Sequence, residues 1–291
     1  MSTFSFSAQA PEPGGVRVRV RDAAVGLFVA LPTVLRVWLY EHLLRPILWI
    51  FFHLEKRPIV AVRAGPSGNR FKMRLCWQSH IVYALGIYEP QLIRLLRERV
   101  KAGDFCIDAG AHLGYLTLFL SQLVGESGSV ASFEPVPENF RVLEENVRVN
   151  RAENVELRNV ALLDSRGPVN MVRVTQQTLS WSPSAVNESV DPQLSSVPSE
   201  ATTLDDFIAD RKKNPKFIKI DVEGAELHVL RGAINTLRMA APMLFLEIHN
   251  WGKPASAEVL DFLRQHGYNP QILGTRGDEA FCFAVPSAQN K

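Results

Sequence analysis

Two periods alternate along most of the chain, short apolar runs giving way to stripes at helical spacing. Phe105-Cys106-Ile107-Asp108 is an apolar run closed by an acid, and Tyr115 to about Val124 follows as a helix. Val130-Ala131-Ser132-Phe133-Glu134 repeats that pattern, and the next stripe, Pro137 to about Val149, places Phe140, Leu143 and Val147 on one face. Val155 to Leu162 reads as a third strand, and Val169 to Val174 as part of an inserted hairpin. Ser180 to Glu200, rich in Ser and Pro, reads as a mobile loop over the site. Thr203 is placed to cap the next helix. Phe217 to Asp221 is the most strand-like segment of the second half, with a helix after it to about Leu237. Met243 to Asn250 forms a strand, Ser256 to Gln265 a helix, and Tyr268 to Val285 two last strands. Such alternation predicts an α/β domain over 101–286, with ligands outside the carboxyl ends of a mostly parallel sheet.

The amino-terminal part differs. Residues 1–22 read as a flexible tail, and 23–57 as an apolar, basic helical appendage. Within 23–57 the longest charge-free run, Ala23 to Leu35, has 13 residues and contains Pro32, whereas a bilayer needs about 20 apolar residues. Two expectations follow: packing on the main domain or a second subunit, or lying on an anionic membrane surface through Arg17, Arg19, Arg21, Arg36 and Arg45. Residues 58–100 read as a hairpin and a helix leading into the core.

Composition narrows the function. The 291 residues carry a net charge of +2, too little for a dedicated nucleic-acid binder. Residues 1–100 hold 14 Lys and Arg against 6 Asp and Glu, and the remainder 18 against 24, so the presumed site half is acidic. Three scattered cysteines give neither a disulfide framework nor zinc spacing, which fits a reducing, cytoplasmic setting, free or on the inner face of a membrane.

Strand, glycine turn and helix around Ala109-Gly110-Ala111-His112-Leu113-Gly114 make the first unit of a doubly wound, Rossmann-like nucleotide-binding sheet. Small residues there let a ligand approach the backbone. A dinucleotide fingerprint read from Gly110 needs glycine where His112 and Tyr115 stand, so the pyrophosphate reading fails at two of three glycines. Glu134, 20 residues after Gly114, is placed to accept ribose hydroxyls. Acids ending both strands suit a ligand with an ammonium group and a ribose but no phosphates, which is S-adenosyl-L-methionine.

The motifs Phe105 to Tyr115, Phe133 to Phe140, Thr203 to Asp206, Ile218 to Glu226 and Leu230 to Ala233 together resemble the FkbM family of methyltransferases over about Tyr88 to Phe283. The resemblance implies a Rossmann-like methyltransferase sheet and O-methylation of a sugar, lipid-linked or other small metabolite. It implies cofactor contacts at Asp108, Gly110, Gly114, Tyr115, Glu134 and Asn139, with Ala161 near the adenine. His112 departs from the family, where Asn is commoner.

Methyl transfer to a hydroxyl calls for a base, and Asp221, Glu223 and His249 are the candidates because their strands should be neighbours. Asp221 or His249 would accept the proton, and Glu223 would orient the substrate or the base. Glu223 and Glu226 equally suit a helix N-terminus. Asp221, Glu223 and His249 or Asn250 have the donor types for a divalent ion, but no metal is assigned. The competing readings are a nicotinamide oxidoreductase and a non-catalytic adenosyl-binding scaffold.

Overall fold

Each buried strand of the main sheet is a short, mostly apolar run, as expected of strands covered by helices on both faces. The computed structural model describes residues 59–63, 70–75, 83, 88–173, 181–183, 196–209, 211 and 213–287. The appendage at 23–57 lies outside them. Two units divide the chain, residues 1–70 with 75–88, and residues 71–74 with 89–291. In the first, strand β1 (Ile59–Arg63) buries Val62, and Tyr83 meets Tyr88 edge to face at 4.8 Å.

The second unit contains residues 71–74 of strand β2 (Arg70–Arg74), helix α1 (Pro90–Arg99) and a seven-stranded sheet. That sheet comprises β3 (Phe105–Ala109), β4 (Ser129–Phe133), β5 (Val155–Arg158), β10 (Phe217–Ile220), β11 (Met243–Ile248), β12 (Tyr268–Arg276) and β13 (Glu279–Pro286). Their order is β12-β13-β11-β10-β3-β4-β5. All neighbouring pairs from β11 to β5 are parallel, and β13 runs antiparallel to both of its neighbours. The doubly wound, mostly parallel architecture is therefore present. Strand order reverses beside β3, so the carboxyl ends of β3, β4 and β10 open on one crevice.

Helices α2 (Tyr115–Val124) and α3 (Pro137–Val149) follow β3 and β4. On α3 the buried stripe is Asn139, Leu143 and Asn146, not the expected Phe140, Leu143 and Val147. Hydrogen bonding decides this. Asn139 donates to Glu134, while Asn146 donates to the Leu113 carbonyl at 2.8 Å and accepts from the Arg74 amide at 2.6 Å.

The expected third strand is two. After β5 the Asn159 side-chain Nδ2 donates to the Glu134 carbonyl at 2.7 Å where the chain turns, and β6 (Ala161–Leu162) joins another sheet. That sheet, ordered β6-β9-β7-β8, includes β7 (Gly167–Arg173), β8 (Trp181–Pro183) and β9 (Ser196–Thr202). Both ends of the segment expected to be a loop are thus strands, because β8 and β9 each find β7 as an antiparallel partner. Residues 184–195 lie outside the described residues.

Helix α4 (Leu204–Ala209) is capped as expected, Thr203 Oγ1 accepting from the Asp206 amide at 3.0 Å. The helix expected to reach Leu237 breaks into α5 (Glu226–Arg231) and α6 (Ile234–Ala240). At the break Gly232 packs so closely on the Leu163 carbonyl that a Cβ would collide with it. Helix α7 (Pro254–Gln265) covers the same face, whose core includes Ile218, Ile220, Leu244 and Leu246.

Candidate functional site

Asp108, Glu134, Asp221 and His249 occupy the carboxyl ends of β3, β4, β10 and β11. They do unequal work. Asp108 is fully buried, its Oδ2 accepts from Thr117 Oγ1 at 2.6 Å, and Thr117 in turn lies 3.0 Å from Ser132 Oγ. It ties β3 to the first turn of α2 from inside.

Glu134 organises that loop. Its Oε2 accepts from the His112 amide at 2.9 Å, and its Oε1 from the Val136 amide at 3.0 Å and the Asn139 side chain at 3.3 Å. Burial pushes its pKa up to about 7 against the pull of those donors. Its own chain fills three of about four acceptor positions, leaving capacity on Oε2 for one further hydroxyl. His112 adopts a left-handed backbone (φ 51), and burial holds its ring near a pKa of about 4 and so neutral at pH 7.

The two glycines serve packing. A Cβ on Gly110 would run into the Asp221 carbonyl oxygen, and one on Gly114 would meet the Leu143 side chain. Both also have positive φ, 78° and 90°. Tyr115 is buried against Phe71, ring centroids 5.5 Å apart, and burial raises its hydroxyl pKa. Ala161 is buried beside Val136, Leu163, Met171 and Ala225.

Behind Asp221 stands a residue that sequence reasoning passed over. Lys219, 3% exposed, brings its Nζ within 2.7 Å of the Gly110 carbonyl and 3.3 Å of the Ala109 carbonyl. The same ammonium lies 3.4 Å from Asp108 Oδ1 and 3.3 Å from Asp221 Oδ2. Burial opposes its charge, but Asp221 and Asp108 outweigh that and hold its pKa above the ordinary lysine value. Burial likewise opposes ionisation of Asp221, yet Lys219 and then His249 hold its pKa below the usual carboxylate range. A lysine inside Phe217-Ile218-Lys219-Ile220, a run otherwise apolar, was the available signal.

His249 is clamped on both sides. Its Nδ1 lies 2.9 Å from Glu226 Oε1 and its Nε2 3.2 Å from Glu223 Oε2. Burial disfavours the imidazolium, but the two carboxylates overcome it and push the pKa up to about 12. The ring therefore carries both protons at neutral pH, and the expectation that it accepts one fails in this arrangement. Glu226 does more than favour a helix N-terminus. It is 2% exposed and also accepts from the Gly224 amide at 2.9 Å. Glu223 is held at φ 54, a left-handed backbone uncommon outside glycine.

Glu247, two residues before His249, is buried beside Asp221, and burial pushes its pKa up to about 10 although Arg276 lies 2.6 Å away. Asp221, Glu247 and His249 offer ligand atoms within 4.8 Å of one another. His249 could serve a cation only by releasing a carboxylate, because both of its nitrogens are engaged. Four carboxylates, on Asp108, Asp221, Glu223 and Glu226, thus surround two cations, the buried Lys219 and the half-buried His249. That surplus suits a sulfonium and an ammonium and opposes a pyrophosphate.

The sequence profile of the Methyltransferase FkbM domain matches residues 108–270. Among curated proteins, a hexuronic acid methyltransferase, AglP, of Haloferax volcanii is 28% identical over 195 residues, 66% of this chain and 75% of its own. A protein-L-isoaspartate O-methyltransferase of Caenorhabditis elegans is 32% identical over 72 residues, and the alignment spans only 32% of that protein. Among solved structures, an FkbM methyltransferase of Methylobacillus flagellatus superposes with a TM-score of 0.43 at 15% identity, covering 70% of this chain and 65% of that one. S-adenosyl-L-methionine is the methyl donor that accompanies this family, and the phosphate-averse charge around Asp221 fits it.

Proposed function

Because the chain belongs to the FkbM methyltransferase family, we propose that it transfers a methyl group to a hydroxyl oxygen of a sugar, a lipid-linked sugar or another small metabolite. One observation carries this reading: Asp221, a carboxylate kept ionised, ends β10 directly against the Ala109–Gly110 turn. Its backbone amide donates to the Ala109 carbonyl at 3.1 Å.

S-adenosyl-L-methionine, when bound, supplies an electrophilic methyl on a sulfonium. Glu134 would hold a ribose hydroxyl through its remaining acceptor capacity. Asn139 and the amides of His112 and Val136 keep that carboxylate in place. Asp221 accepts the proton of the attacking hydroxyl as the new oxygen–carbon bond forms, a task worth about 10²–10⁴-fold in rate. His249, protonated on both nitrogens, fixes Glu223 at the mouth of the site, where Glu223 orients the acceptor. A sugar acceptor is supported by the likeness to the hexuronic acid methyltransferase.

The apolar, basic residues 23–57 are proposed to meet a membrane surface or a second copy of the chain, and a lipid-linked acceptor would suit the former. Co-sedimentation of the intact protein with anionic vesicles, lost at high salt, checks the membrane contact. The test of function is incubation with methyl-labelled donor and separated sugar and lipid-linked sugar fractions, followed by NMR of the product. An O-methyl ether is expected. A methyl ester, an N-methyl product, or tight donor binding without transfer to any fraction would overturn the assignment.

A further inference from the structure

We propose that Lys219 is a positioning residue: its buried ammonium ties the Ala109–Gly110 turn of the cofactor loop to the carboxylate of Asp221, so that methyl donor and base keep one fixed separation. The inference rests on the reading of Asp221 as proton acceptor.

The geometry is specific. Lys219 and Asp108 are register partners on β10 and β3, which places their side chains side by side on one face of the sheet. Its Nζ has three protons and four oxygen neighbours, two carbonyls of the loop and one carboxylate from each strand end. Two further links join the same parts, the Asp221 amide bonded to the Ala109 carbonyl and the Gly110 α-carbon lying under the Asp221 carbonyl. Those links fix the backbones, whereas the Lys219 ammonium bridges the loop carbonyls to the Asp221 side chain. The titratable groups acting on Asp221 are Lys219 on β10 itself, His112 in the loop after β3, and Glu247 and His249 on β11. Asp108 shares the lysine from β3.

Removing the ammonium should therefore do two separable things. The loop loses a tether, and the Asp221 carboxylate loses its nearest cation. In Lys219→Met, calorimetry with S-adenosylhomocysteine should show binding weakened by about tenfold or more. Turnover should fall by about 10²-fold, as expected for a misplaced reacting group. The acid limb of the rate profile should move to higher pH, because Asp221 then protonates more easily. Lys219→Arg keeps the charge, so the acid limb should return toward the native position. Its planar guanidinium cannot meet the same four oxygens, so product binding should stay weak.

Native binding and a native acid limb in Lys219→Met would overturn the proposal. If that variant does not fold, Lys219→Arg decides, and native S-adenosylhomocysteine affinity there would overturn it equally. An inactive Asp221→Asn alongside native-like lysine variants sinks this inference alone, whereas a fully active Asp221→Asn sinks the reading beneath it.

Discussion

His249, half-buried, and the buried Glu226 form a pair, Nδ1 to Oε1 at 2.9 Å, that fixes one edge of an imidazole whose other edge meets Glu223. With one ring nitrogen on each carboxylate, the histidine spans from β11 to the turn after β10. Its charge is a structural feature of the site.

The first prediction concerns that charge. His249 has a pKa raised to about 12 from an ordinary 6.5, so it contributes stability that is complete below about pH 6.5 and is lost as pH rises toward 12. Glu226→Gln removes the buried partner and should cost about 3–5 kcal/mol at pH 6. The loss should shrink at alkaline pH, where the native protein is itself losing that stabilisation. Denaturant titrations at pH 6 and pH 10 check this, and a pH-independent difference would contradict it.

Glu134 supplies a second. Burial raises its pKa to about 7, so the native state holds its proton longer than the unfolded chain. Stability from this group is complete below about pH 4.5 and fades as pH rises through 7. Cofactor affinity should run the other way, strengthening through pH 7 as the carboxylate ionises and can accept from a ribose. Glu134→Gln should flatten both trends and weaken S-adenosylhomocysteine by about 1.5–3 kcal/mol, roughly 10- to 100-fold in Kd. Calorimetry at pH 6 and pH 8 measures it.

The third sets two glycines against each other. Gly110→Ala and Gly114→Ala both force a side chain into left-handed backbone, about 1–2 kcal/mol each. At Gly110 the new methyl also meets fixed backbone, the Asp221 carbonyl, whereas at Gly114 it meets the movable end of Leu143. Gly110→Ala should therefore be the more damaging, by about 1–3 kcal/mol of overpacking. Chemical denaturation of both variants settles the order.

Much of this could be foreseen from an apolar run that ends in a charge. Asp108, Glu134, Asp221 and His249 announce strand ends because nothing else explains an ionisable group there. Three features escaped for one reason, that burial satisfied by distant partners leaves no local trace. Lys219 stands alone in an apolar strand, and only the register with Asp108 shows what it pairs with. Glu226 sits where a helix N-terminus would welcome any acid, and its contact with His249 spans 23 residues of chain. Asn139 and Asn146 displace Phe140 and Val147 from the buried face of α3 because their partners lie in loops that helical periodicity does not reveal. Gly110 and Gly114 stand within the family motifs, but their packing on the Asp221 carbonyl and Leu143 is tertiary.

The most direct test of the account is methyl transfer by Asp221→Asn, an isosteric change that leaves the loop contacts available. The account predicts unaltered S-adenosylhomocysteine binding and transfer to a hydroxyl acceptor slowed by about 10²-fold or more. Turnover at the native rate would contradict it.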